Sequence, residues 1–233
     1  MTWIAGVDGF KSRWCVVLQD MATDELRVHV LATFADLLTL DEAPNIIAVD
    51  IPIGLPEYAT SGGRRCEQAA RKVLKARASS VFSAVGRVPL RQASRAEADA
   101  VSRANGGLGV GAQAWGLAFK LREADAVMSP EHQRVVHEVH PTVSFWAMNG
   151  RVPMAYGKKT LSGTRGRHEA LIKEGFARVF IETAAREHKV GEDDLLDACA
   201  ALWTAHRIAT GVADRFPPDP DRDQRGLDQA IWF

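Results

Sequence analysis

The run Ile46-Ile-Ala-Val-Asp50-Ile51, closed by Pro52, restricts the fold of this chain more than any other segment. A nearly unbroken apolar stretch ended by proline is what a parallel strand covered on both faces presents. Such a strand needs helices above and below it, so the chain is expected to be an α/β layer structure. Asp50 interrupts the run where burial would leave a charge unpaired, and a carboxylate there requires an arginine or a cation beside it. The carboxyl end of a parallel strand is also where open α/β sheets place their sites, which favours the cation.

The other segments fit around that strand. Residues 3–7 and 14–19 are short β-rich runs separated by Asp8-Gly-Phe-Lys-Ser12, which reads as a hairpin connection, and residues 25–31 alternate polar and apolar like a third strand. Three antiparallel strands in meander order followed by parallel strands give a mixed central sheet. Helical spacing recurs at 34–40, 67–78, 97–104, 113–128, 141–148, 167–181 and 194–210, and residues 135–139 restore a strand. Residues 57–130 therefore read as a helical insertion within one domain spanning 1–212, and the Pro- and Asp-rich residues 213–233 read as a loose surface tail.

Composition narrows the class. With 233 residues, 46% of them hydrophobic, the chain can bury a substantial core. No stretch approaches the ~18 consecutive apolar residues of a membrane span, and the N-terminal residues run directly into a strand without a signal-like pattern. A soluble, cytoplasmic protein with no membrane contact is expected. Cys15, Cys66 and Cys199 are odd in number and far apart, which argues for small apolar fillers over a zinc knuckle or a disulfide framework. The formal net charge of zero conceals a basic lobe: between Thr60 and Arg103 ten Lys and Arg face three acidic residues, a local balance of +7. Such a lobe fits a polyanionic partner, nucleic acid, or else a solvated Arg-rich surface.

Four acidic signatures carry the candidate chemistry: Gly-Val-Asp8-Gly, Ala-Val-Asp50-Ile-Pro, His-Glu138-Val-His140-Pro and Asp193-Asp194-Leu-Leu-Asp197-Ala. Asp8 lies between Gly6 and Gly9, which leave room for a ligand, although a turn aspartate accepting a backbone hydrogen bond has the same pattern. Asp194 and Asp197, three apart, share one helix face in its first turns, where the dipole favours anions. Capping accounts for Asp193. It accounts less well for Asp197, whose neighbours Leu195, Leu196, Ala198 and Cys199 leave little polar face. Strand alternation puts Glu138 and His140 on one side, and a set with only His140 as a nitrogen donor favours Mg²⁺ or Mn²⁺ over zinc. Carboxylates holding two hard cations about 3.5–4 Å apart stabilise the attacking water and leaving oxygen of a phosphodiester without a Ser, Cys or His nucleophile.

These motifs, together with Val-Asp50-Ile-Pro-Ile-Gly, Cys66 to Arg71, Arg77-Ala-Ser-Ser-Val-Phe82 and Lys158-Lys-Thr-Leu-Ser-Gly163, resemble in order and number the domain of unknown function 429 family. That family is grouped with predicted nucleases of the ribonuclease H-like superfamily. The resemblance covers most of residues 3–210 and implies a ribonuclease H-like fold. Asp8 on the first strand, Asp50 on the fourth and Asp197 on the last helix would form its acidic core, with Asp194 beside them. The last helix is also similar to that of bacterial Holliday-junction resolvases. Glu138 and His140 belong to the family's own strand motif. Lys158, Lys159 and Arg167 are candidates to reach a scissile phosphate, and Arg64, Arg65, Arg71 and Arg77 to track a backbone. Phe82 reads as core rather than as a stacking group. The expectation is a nuclease dependent on Mg²⁺ or Mn²⁺ acting on DNA or RNA. The alternatives are an actin- or sugar-kinase-like phosphotransferase, for which a second Gly-rich phosphate loop is missing, and a catalytically silent nucleic-acid- or protein-binding module.

Overall fold

The hairpin and the buried run become neighbouring strands of one sheet in the computed structural model, which describes residues 2–233. Strands β1 (Trp3–Phe10) and β2 (Arg13–Asp20) are antiparallel, and β3 (Leu26–Leu31) adds antiparallel to β2. On the other side of β1, β4 (Ile46–Val49) pairs in parallel, and β5 (Val136–Glu138) pairs in parallel with β4. The resulting order, β3-β2-β1-β4-β5, is a mixed α/β arrangement consistent with a ribonuclease H-like fold. β1 extends past the expected run to Phe10, with the turn at Lys11 and Ser12, so Asp8 is a strand residue paired opposite Cys15.

Between β4 and β5 lie α1 (Arg65–Leu74), α2 (Arg87–Leu90), α3 (Arg95–Ala104), α4 (Ala112–Gly116) and α5 (Ala118–Val127). After β5 come α6 (Pro141–Met148), α7 (Leu161–Lys173), α8 (Arg178–Glu187) and α9 (Glu192–Ala209). The helical pattern over 167–181 is two helices: the chain breaks at Gly175, whose φ of 99° is left-handed and readily open to glycine.

Alternation along β1 sorts the two faces of the sheet. Trp3, Ala5 and Val7 join Ile47, Val49 and Val136 in a core covered by Ala98 of α3 and by Leu121 and Ala124 of α5. Ile4, Phe10 and Ala48 face the opposite layer, where α9 contributes a continuous buried stretch from Leu195 to Leu202. Gly6 sits at the crossing: a Cβ there would collide with the backbone of Ala198 and Leu202, so its absence lets α9 lie directly on β1. Cys15 and Cys199 are buried in this second layer, and Cys66 is buried under α1.

The expectation of a loose tail is corrected. Strands β6 (Arg215–Phe216) and β7 (Ile231–Trp232) form a small antiparallel pair, and Trp232 bridges in parallel to Val139 beyond the end of β5. Ile231 and Phe233 are buried with Cys66, Leu74 and Trp146 in a third core under α1 and α6. Pro and Asp dominate the middle of the segment, but its last residues are apolar and cover a face those helices would otherwise expose. No helix among the described residues is long and apolar enough to cross a membrane.

Candidate active site

Parallel register brings the first two carboxylates together. Val7 pairs with Val49, and the Asp50 N–H donates to the Val7 carbonyl at 2.9 Å, so Asp8 and Asp50 stand side by side at the carboxyl ends of adjacent strands. Both have the parity of Ile4 and Ala48 and therefore look toward α9. That helix begins after Gly191, and its first turn carries Glu192, Asp193 and Asp194. Asp197 follows one turn on, 4% exposed and continuous with the apolar face that packs on the sheet. Asp8, Asp50, Asp194 and Asp197 all line one cavity of about 430 Å³.

Electrostatics follow from this crowding. Burial and then the charges of Asp50, Asp197 and Asp194 hold the Asp8 carboxyl well above its ordinary range. Asp50 is pushed up to about 7 by burial and then by Asp197, with Lys158 opposing. Asp194 and Asp197 are raised by burial as well. Like charges held this close call for a cation. One is already present: Lys158, carried by the segment between α6 and α7, places its ammonium 2.7 Å from Asp197 Oδ2 and 3.3 Å from Asp193 Oδ2. Burial lowers the Lys158 pKa, and the surrounding carboxylates more than offset that, leaving it raised. The other oxygen of Asp197, Oδ1, is buried without a hydrogen-bond partner.

Besides Arg64, which is paired as described below, three further cations among the described residues line the cavity. Arg167 of α7 is 3% exposed, lies with its guanidinium 5.0 Å from the Phe145 ring, and has Nε and one terminal nitrogen buried with no partner. Arg77 holds the Met154 carbonyl at 3.2 Å and so pins the segment that carries Lys158. Lys120, which the sequence reading overlooked, is buried on α5, donates to the Arg13 carbonyl and lies 4.1 Å from the centre of the Trp14 ring. Two signals pointed to it: a lysine on the apolar face of Ala118, Leu121 and Ala124, and Gly9, whose missing Cβ leaves room for the lysine stem.

Several expected site residues have other roles. Glu138 is corrected from metal ligand to brace: it borders the same cavity, but it has the parity of Val136 rather than of Asp50, and both its oxygens accept from Arg64, at 2.8 and 2.6 Å. The Ile53 N–H adds a third bond at 2.7 Å. Arg64 is corrected with it, since a guanidinium buried between Glu138 and Glu67 is not free for a phosphate. Arg71 donates to the Val81 and Gly62 carbonyls, and Arg65 pairs with Asp221 outside the cavity. Lys159 is exposed and also lies outside it. His140 lines the cavity, yet its Nδ1 accepts from the Thr142 N–H at 3.2 Å as the cap of α6, and Nε2 lies 3.2 Å from the Ser80 carbonyl. Asp193 is no cap; Gly191 holds that position and Asp193 faces Lys158. Phe82 packs partly buried against the main core, as expected, and also borders the cavity.

The carboxylates facing the cavity offer only oxygen donors, the chemistry that suits Mg²⁺ or Mn²⁺. Among the described residues no group of three or more His, Cys, Asp and Glu is arranged to hold one ion as the side chains stand. Mg²⁺ is ordinarily held by one or two carboxylates, with water and substrate phosphate completing its shell. Adjacent Asp8 and Asp50, and the unpartnered Asp197 Oδ1, fit that mode.

Sheet order and site together define an α/β protein with a carboxylate-rich pocket at the carboxyl ends of β1 and β4. The chain belongs to the family described as protein of unknown function (DUF429), whose model matches residues 6–222. No curated protein and no solved structure matches it.

Proposed function

We propose that the protein hydrolyses phosphodiester bonds of DNA or RNA with Mg²⁺ or Mn²⁺. The observation that carries this reading is Asp197, with one oxygen on Lys158 and the other buried without a partner, facing the same cavity as Asp8, Asp50 and Asp194. Adjacent Asp8 and Asp50 would hold the divalent cation, with Asp197 and Asp194 able to join them once their side chains turn toward it. Such a cation, bound as a pair where two fit, polarises the phosphoryl group and lowers the pKa of water. Arg167 receives the phosphate through its unpaired donors, and Lys158 is placed to exchange Asp197 for a phosphate oxygen.

Asp8→Asn and Asp197→Asn proteins are expected to bind nucleic acid while cleavage with Mg²⁺ or Mn²⁺ falls by at least ~100-fold, the upper end of what losing an outer-shell partner costs a metal site. Full cleavage by both variants overturns the proposal.

The Lys158–Asp197 ion pair also favours a second reading, a silent binding module in which the ammonium permanently replaces a metal. Calorimetric titration with Mn²⁺ separates the two: a saturable site supports the hydrolase, and no specific heat supports the module.

A further inference from the structure

The basic lobe that suggested a polyanion track is largely neutralised within the fold. Arg64, Arg87 and Arg103 are paired with carboxylates, while Arg71, Arg77 and Arg95 are held on main-chain carbonyls. Lys72, Lys75 and Arg91 of the lobe are exposed and lie outside the cavity, whereas inside its about 430 Å³ the guanidinium with buried, unpartnered nitrogens is Arg167, which comes from outside the lobe. A pocket in the usual range of about 300–1,000 Å³ encloses one small ligand, whereas a duplex backbone needs an open row of cations. The walls are the ends of β1 and β4, the Ser79–Phe82 segment, α5 and the segment Met154–Lys158.

At the lip of this cavity stands Tyr156, 59% exposed and shared with the shallow groove beside α7. An exposed aromatic two residues from a phosphate-reaching lysine is a stacking platform for a base, a contact that every base can make through its π-face.

We infer that the site takes a single nucleotide unit, a terminal or unpaired nucleotide, with its phosphate on Arg167 and Lys158 and its base on Tyr156, and not the continuous backbone of a duplex. This rests on the phosphodiester reading above and names its substrate class. No step of the hydrolysis is altered. Selection comes from cavity size and from the position of one anion receptor relative to one aromatic face.

The test is calorimetric titration of the 233-residue protein with thymidine 5′-monophosphate in the presence of Mn²⁺, beside ribose 5-phosphate and a blunt duplex of about 20 base pairs. The mononucleotide is expected to bind with only a shallow salt dependence, because it lacks the condensed counterion atmosphere that gives a duplex its steep log-log slope. Tyr156→Ala should weaken it about tenfold or more, the loss of one base stack, and should bring it to the level of ribose 5-phosphate. Arg167→Gln should weaken both ligands. Because Arg167 is buried, Arg167→Lys and a thermal denaturation curve accompany it; Tyr156 is exposed and carries no such risk.

Tighter binding of the duplex with a slope of about −5 or steeper overturns the inference. So does mononucleotide binding indifferent to Tyr156→Ala, or its absence in the folded wild-type protein. The two proposals fail separately. Cleavage of closed circular duplex keeps the hydrolase and discards the single-nucleotide site, whereas Tyr156-dependent mononucleotide binding without cleavage of any diester keeps the site and discards the hydrolase.

Discussion

Asp50 shows how one residue's surroundings set both stability and ligand demand. Burial and then Asp197 raise its carboxyl from 3.8 to about 7, with Lys158 opposing. Across that interval the folded protein keeps a proton that the unfolded chain has released, so this group's contribution to stability falls as pH rises from 3.8 to about 7 and stays low above it. Asp50→Asn is therefore expected to raise the Tm at pH 8, with the gain vanishing near pH 4, in thermal denaturation across pH. An unchanged profile would show that the carboxylate is already compensated. Glu138 illustrates the opposite case, a buried charge fully partnered within the protein. Glu138→Gln strips Arg64 of a bidentate partner, and breaking such a pair costs ~3–5 kcal/mol; Glu67 remains on Arg64 and moves the expectation toward the lower end. The measured signature is a lower Tm with Mn²⁺ affinity unchanged, whereas a ligand role would lower the affinity.

At the scale of elements, α9 and β1 position the site as a pair. Asp194 and Asp197 are one helical turn apart, and Asp8 reaches them only because Gly6 allows the two backbones to touch. In Gly6→Ala the new Cβ meets backbone atoms of Ala198 and Leu202, which cannot rotate away as a side chain would. The expected result is ~1–3 kcal/mol of destabilisation from overpacking together with weaker Mn²⁺ binding in the folded fraction, read by denaturation and calorimetry. The sequence placed α9 and β4 within a residue or two because their apolar runs are long and bounded. It joined α7 and α8 because Glu174, Gly175 and Phe176 interrupt the periodicity only briefly.

Across the whole molecule, the C-terminal segment is part of the architecture. Phe233 lies 4.4 Å from Phe216 and 5.5 Å from Trp146, ring centre to ring centre, in the third core. Phe233→Ala is expected to destabilise the protein by ~3–5 kcal/mol, as for other buried Phe truncations, in chemical denaturation; a dispensable tail would leave the midpoint unchanged. Ile231, in the same core, also lines the cavity, so the segment supports the site as well as the fold.

The sequence by itself determined the α/β class and singled out the four aspartates that line the cavity: Asp50 and Asp197 interrupt apolar stretches that local periodicity makes visible, Asp194 lies one helical turn from Asp197, and Asp8 stands between two glycines. It also supplied the basic lobe. Only the tertiary structure decided which charges are free. Parity separates Glu138 from Asp50, and parity becomes a face only once the register of β4 against β5 is known. The partners of Arg64 are 3 and 74 residues away in sequence, and the cation among the aspartates comes from a loop 39 residues before Asp197. Charge is a property of a residue, whereas neutralisation depends on its neighbours in space, and no local pattern encodes those.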